Sequence, residues 1–116
     1  MRPRVDILGV GFDRVRVADA VDLIVARLVA GQRSFVVTAN PEFVMLARHE
    51  PDVAAIARSA DLVVADGTGV VVASRLLGDP LPGRVPGRLL VDALLERLVP
   101  LGTHVFLLGA APGVAE

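Results

Sequence analysis

Four aliphatic residues, Leu62-Val63-Val64-Ala65, end abruptly in Asp66-Gly67-Thr68-Gly69, after which the chain returns to helical spacing. A run apolar on both faces reads as a short buried strand. Such a strand has no place for a carboxylate in its interior, so Asp66 belongs at its carboxyl end. In parallel α/β sheets that edge is where ligands bind. Gly67 and Gly69 keep side chains away, so a ligand can approach the backbone and the carboxylate together. Two roles fit an acid held there. It can act as a general base towards a substrate proton within reach, or it can cap the next helix, as Asp and Thr commonly do.

The same alternation recurs along the chain. Residues 5–10 read as a first strand running into Gly9 and Gly11. Over residues 17–30 the period changes, with Val21, Ile24, Val25 and Leu28 on one face and Gly31 as a stop. Residues 34–38 form a second short strand. Asn40-Pro41 then supplies an N-cap and a first helical residue for a helix over 42–49, and Pro51-Asp52 opens another. The strand at 62–65 leads into an apolar helix over 69–77. Residues 79–87 hold three prolines and form a stiff loop. A helix over 89–98 and a fourth strand over 104–108 follow, and residues 109–113 turn into a helix start. Short strands alternating with helices predict one α/β domain over residues 1–116, a Rossmann-like, doubly wound parallel sheet with helices on both faces. That sheet is expected to be truncated at its C-terminal side.

Composition removes several functions. Apolar residues make up 53% of the 116, ample for a core. Aromatics are 3%, too few for base-stacking platforms. The formal charge is −1 with no basic run, so nucleic acid is not an expected partner. All 12 basic residues are arginine, which excludes Schiff-base and P-loop lysine chemistry. Without cysteine there is no thiolate nucleophile and no zinc–cysteine site. His49 and His104 lack metal-ligand spacing, and no Asp-x-Asp pair offers a bridge from metal to diphosphate, so no metal or other cofactor is expected. No apolar run approaches the roughly 18 residues that span a bilayer. The opening residues carry no signal-peptide core, so the chain is read as cytoplasmic.

If the sheet is parallel, three strand ends converge on one edge: Thr38-Ala39-Asn40, Asp66-Gly67-Thr68-Gly69 and the turn beginning at Gly109. They would supply a carboxylate, an amide, hydroxyls and helix N-termini, a set suited to a phosphate-bearing sugar or nucleotide. Each junction also reads as an ordinary cap or turn. Gly9-Val10-Gly11 suggests a dinucleotide loop, but Arg14 stands where its third glycine belongs and no helix starts at once. Arg84 and Arg88 flank the proline loop, either as solvated charges or as guanidiniums placed to offset a diphosphate.

Several blocks occur in an order that resembles one family. They are residues 38–47 (Thr-Ala-Asn-Pro-Glu-Phe-Val-Met-Leu-Ala), residues 60–70 around Asp66-Gly67-Thr68-Gly69, Leu77-Gly78, Pro82-Gly83-Arg84-Val85-Pro86-Gly87, and Val105-Phe106-Leu107-Leu108-Gly109 with residues 112–116. With Ile7-Leu8-Gly9-Val10 and Phe12-Asp13, the chain is similar over nearly its whole length to the WecG/TagA/CpsF glycosyltransferases. The resemblance implies transfer of N-acetylmannosamine or a related sugar from a UDP-sugar donor to a lipid-diphosphate-linked acceptor. It implies inversion at the anomeric carbon, no metal, and work at the inner face of the membrane, contacted through a C-terminal part beyond residue 116. A homo-oligomer is compatible with it. It assigns Asp66 as the base that deprotonates the acceptor hydroxyl, Thr38 and Asn40 as pocket residues, and Arg84 as the arginine that meets the diphosphate. Gly67, Gly69 and Gly109 line the substrate edge. The chain departs from the pattern at Leu89, where the family usually carries an acid. The rival expectation is a non-catalytic α/β module that binds a sugar nucleotide or a partner chain.

Overall fold

The computed structural model describes residues 4–109 and 112–113. In chain order the elements are β1 (Arg4–Ile7), β2 (Val10–Asp13), α1 (Val17–Val29), β3 (Val36–Ala39), α2 (Pro41–His49), α3 (Pro51–Ser59), β4 (Leu62–Ala65), α4 (Thr68–Leu76) and α5 (Gly87–Leu98), then a single 3₁₀ turn, Val99–Leu101. The mixed α/β class and the strand at 62–65 are as the sequence predicts.

The N-terminal segment differs from its expectation. In place of one strand over 5–10, β1 and β2 form an antiparallel hairpin with Ile7 opposite Val10. The chain reverses through Leu8 and Gly9, at φ 51° and 96°, the sign that two-residue hairpin turns require. Gly9 N–H donates to Asp6 Oδ1 at 3.1 Å. Gly9 thus serves a turn, not a dinucleotide. Val5, Ile7, Val10 and Phe12 share one face of the hairpin, and all are buried.

β3 and β4 pair in parallel, with Val36 opposite Leu62 and Ala39 opposite Ala65. All four residues of β4 are buried, and their alternation divides the core in two. Val63 and Ala65, with Val37 and Ala39, meet the hairpin, α2, α3 and α4. Leu62 and Val64, with Val36, meet α1 and α5. Helices therefore cover both faces, as a doubly wound sheet demands.

The strands do not form one continuous sheet. β2 lies beside β4, but the joint is made by a side chain. Val63 N–H donates to Asp13 Oδ2 at 2.8 Å, and Arg4 Nε donates to Asp13 Oδ1 at 3.2 Å. Arg4 Nη2 also reaches the Ala60 carbonyl at 2.7 Å. Farther along the same edge, Val85 N–H donates to the Ala65 carbonyl at 2.6 Å. That bond fixes the end of the proline loop, whose Leu81 and Val85 are buried.

A second correction concerns residues 104–108, which form no strand. Val105, Phe106, Leu107 and Leu108 are 54%, 86%, 62% and 91% exposed. An apolar run becomes a strand only against a neighbouring edge, and among the described residues no edge is paired with this one. The helix start expected over 109–113 falls partly outside the described residues; Pro112 and Gly113 form a turn.

Candidate active site

β3 and β4 end side by side, and Asp66 N–H donates to the Ala39 carbonyl at 3.0 Å, extending their ladder by one residue. Asn40 and Asp66 therefore leave the sheet as neighbours. Asn40 Oδ1 accepts the Phe43 N–H at 2.8 Å and Pro41 occupies the first turn, so this asparagine caps α2. Beyond Asp66, Gly67 adopts φ 121°, a conformation that L side chains rarely adopt. A Cβ at Gly69 would lie 3.0 Å from Pro41 Cγ, and one at Gly67 3.6 Å from Pro41 Cδ. The starts of α2 and α4 are in contact because both glycines lack side chains.

Asp66 is half-buried and does not cap α4, whose N-cap is Gly67. Its Oδ2 instead accepts the N–H of Gly87, the first residue of α5, at 3.3 Å. A Cβ built on Gly87 would lie 3.3 Å from Thr38 Oγ1 and 3.5 Å from Asp66 Oδ2. Hydroxyl and carboxylate thus converge on the start of α5. Among the described residues nothing hydrogen-bonds Asp66 Oδ1. Three helix starts, those of α2, α4 and α5, surround one carboxylate, and their free amides favour negative charge nearby. The sequence predicted convergence at the ends of β3 and β4. It assigned the third contribution to Gly109, whereas the structure gives it to Gly87. Gly109 follows the exposed run at 104–108, and a Cβ there would meet nothing within 4 Å.

Arg84 stands apart from this cluster, exposed on the proline loop. It lines a cavity of about 200 Å³ with Thr68, Val71, Val72, Arg75 and Gly83. Thr68, Val72 and Arg75 follow helical spacing on one face of α4, a signal that could have added Arg75 to the candidates. Four other arginines, Arg4, Arg14, Arg27 and Arg97, are paired with aspartates. Neither Arg75 nor Arg84 has an ion-pair partner among the described residues. Both residues are exposed to solvent. Leu89 lies on the first turn of α5, 47% exposed, and contributes no carboxylate. Among the described residues no group of three or more His, Cys, Asp or Glu side chains could hold a metal ion. No helix among them is long and apolar enough to cross a membrane.

Known proteins match this chain over nearly its whole length. The model of the "Glycosyl transferase WecG/TagA/CpsF family" matches residues 5–116. Curated relatives from Staphylococcus aureus strains NCTC 8325 / PS 47, COL and MRSA252 are 42% identical over 116 residues. Each is named N-acetylglucosaminyldiphosphoundecaprenol N-acetyl-beta-D-mannosaminyltransferase, and the match covers 97% of this chain and 45% of the relative. The chain thus spans less than half the length of the relatives it matches. It belongs to the glycosyl transferase WecG/TagA/CpsF family.

Proposed function

We propose that this chain carries the acceptor-activating half of a glycosyltransferase. The enzyme moves N-acetylmannosamine or a related sugar from a UDP donor to N-acetylglucosamine linked through a diphosphate to a lipid. The observation that supports this most is the asymmetry of Asp66. Gly87 N–H holds one carboxylate oxygen, and the other is left for a substrate hydroxyl. In the proposed step that oxygen removes the proton of the acceptor hydroxyl as its oxygen attacks the anomeric carbon. The bond from that carbon to the UDP oxygen breaks, and attack from the face opposite the leaving group inverts the centre. No metal is assigned to the step.

Thr38 lies beside the carboxylate and orients the acceptor. Gly67 and Gly69 let it approach the backbone, with Asn40 bordering the pocket through its amide nitrogen. Arg84, with Arg75, meets a diphosphate. A lipid-linked acceptor fits a peripheral protein at the inner membrane face, read as one domain over these residues. The relatives' names supply the sugars and the lipid diphosphate. The test is transfer from UDP-N-acetylmannosamine to a lipid-diphosphate-linked N-acetylglucosamine, on the protein in its longest natural form. Turnover that vanishes in Asp66→Asn is the expected result. Binding of the UDP-sugar without turnover would favour the rival, a non-catalytic module, to which the missing acid at Leu89 points.

A further inference from the structure

Arg84 stands on a short arch, Pro82-Gly83-Arg84, between two buried residues of the proline loop. Leu81 enters the core with the hairpin, α2, α3 and α4, and Val85 enters the core with α1 and α5. The loop thus passes from one face of the sheet to the other. At its far end the Val85 amide is tied to the Ala65 carbonyl. At its near end the tie is a side chain of α4. Leu81 N–H donates to Ser74 Oγ at 3.0 Å, and that hydroxyl donates to the Val71 carbonyl at 2.6 Å. Ser74 is fully buried, and its own carbonyl accepts the Asp79 N–H at 3.1 Å. Proline has no N–H, so between Asp79 and Gly83 the Leu81 amide is the one main-chain donor that the sequence leaves.

We propose that Ser74 is a positioning residue, whose hydroxyl sets the arch against α4 and so fixes Arg84 relative to Arg75. Ser74 and Arg75 are successive residues of one helix, about 100° apart around its axis. The first turns inward to the buried end of the loop. The second lines the cavity shared with Thr68, Gly83 and Arg84. One turn of α4 therefore carries one arginine and anchors the segment that carries the other. The anchor is hard to exchange for water, because the Leu81 amide is buried and a buried N–H without an acceptor is costly. Packing over the arch does not replace it: Pro82 and Arg84 are exposed, and a Cβ at Gly83 would meet nothing within 4 Å. The arch is held at its ends. This inference rests on the reading of Arg84 and Arg75 as contacts for a diphosphate, and it adds the residue that keeps the pair in register.

Two measurements on Ser74→Ala, in the protein's longest natural form, test it. The first needs no ligand. The order parameter of the Arg84 amide in NMR relaxation should fall from about 0.85 to about 0.6 or below, while Val71 on α4 stays rigid. An Arg84 that keeps its order would overturn the proposal. The second is titration with inorganic pyrophosphate. A released arch holds Arg84 in register for only part of the time, and apparent affinity falls by that fraction, here expected to be about threefold to tenfold. Added to Arg84→Ala, the serine substitution should weaken binding no further, since nothing is left to position. Additive losses would overturn the proposal, as would a lower melting temperature with unchanged affinity, the mark of a purely structural serine. Ser74→Cys, close in shape but a weaker acceptor, should show both changes at smaller size, and it serves if the alanine variant does not fold. Normal pyrophosphate binding in Arg84→Ala is a separate failure. It would strike the diphosphate reading itself, and the order parameters would still decide whether Ser74 holds the arch.

Discussion

At Asp66 the two carboxylate oxygens have different surroundings, and this sets the sharpest prediction. Asp66→Asn keeps an oxygen for the Gly87 amide, so the start of α5 and the melting temperature should be preserved. Transfer should fall by about 10²–10⁴-fold, the usual contribution of a general base, as measured by turnover with UDP-N-acetylmannosamine. Near-normal turnover would leave Asp66 as an acceptor for α5 alone. Arg84→Ala should shift stability by about 0.5 kcal/mol or less, as exposed positions do, while titration shows weaker binding of a lipid-diphosphate analogue. Arg75→Ala should act in the same direction. A large melting shift with unchanged affinity would make Arg84 structural. Asp66, Gly67, Gly69 and Thr38 were legible in the sequence because strand ends and glycine turns are local signals. The Gly87 amide was not, because its partner is 21 residues away and only the packing of α5 brings it near. Asn40 was legible in both its readings, and the structure displays the cap.

Among the elements, the hairpin and the missing fourth strand show where local pattern stops being enough. Val5 and Ile7 alternate, and so do Val10 and Phe12, but the phase shifts by one residue across the turn, and Leu8, a poor turn residue, hid the reversal. A non-glycine residue in the left-handed region costs roughly 1–2 kcal/mol. Leu8 is 51% exposed, so Leu8→Gly gives up little burial; part of its relief is lost to the extra freedom of glycine in the unfolded chain. Thermal melting should show a gain of up to about 1 kcal/mol. Residues 104–108 have strand composition without a strand partner, and composition cannot supply one. Asp13 shows the converse, since nothing around it in sequence announces that a buried carboxylate will replace a ladder. Asp13→Ala leaves the Val63 amide buried without its acceptor and should cost about 1–3 kcal/mol by denaturant unfolding. Asp13→Asn retains an acceptor and should cost less. Equal losses would show that the Arg4 pairing, not the amide bond, is what matters at this joint.

Taken as a whole, the molecule has two cores that share β4 as their common wall. Leu90, 3% exposed, belongs to the core with α1 and α5, and Leu90→Ala should cost about 2–5 kcal/mol. Because β4 contributes to both cores, that loss should appear as one earlier transition in circular dichroism, not as separate melting of one layer. Two resolved transitions would mean that the layers are independent. The exposed Arg97–Asp22 pair between α5 and α1 should matter little: Asp22→Ala should move stability by less than about 1 kcal/mol. The shared wall has a further consequence for anyone modifying this protein. Asp66 sits at the tip of a strand clamped from both sides, so its carboxyl carbon resonance is a gauge of strain in either layer. A substitution in α3 and one in α5, on opposite sides of the sheet, should both register at that one nucleus. The position of the acid can thus be tuned from residues that never touch a ligand.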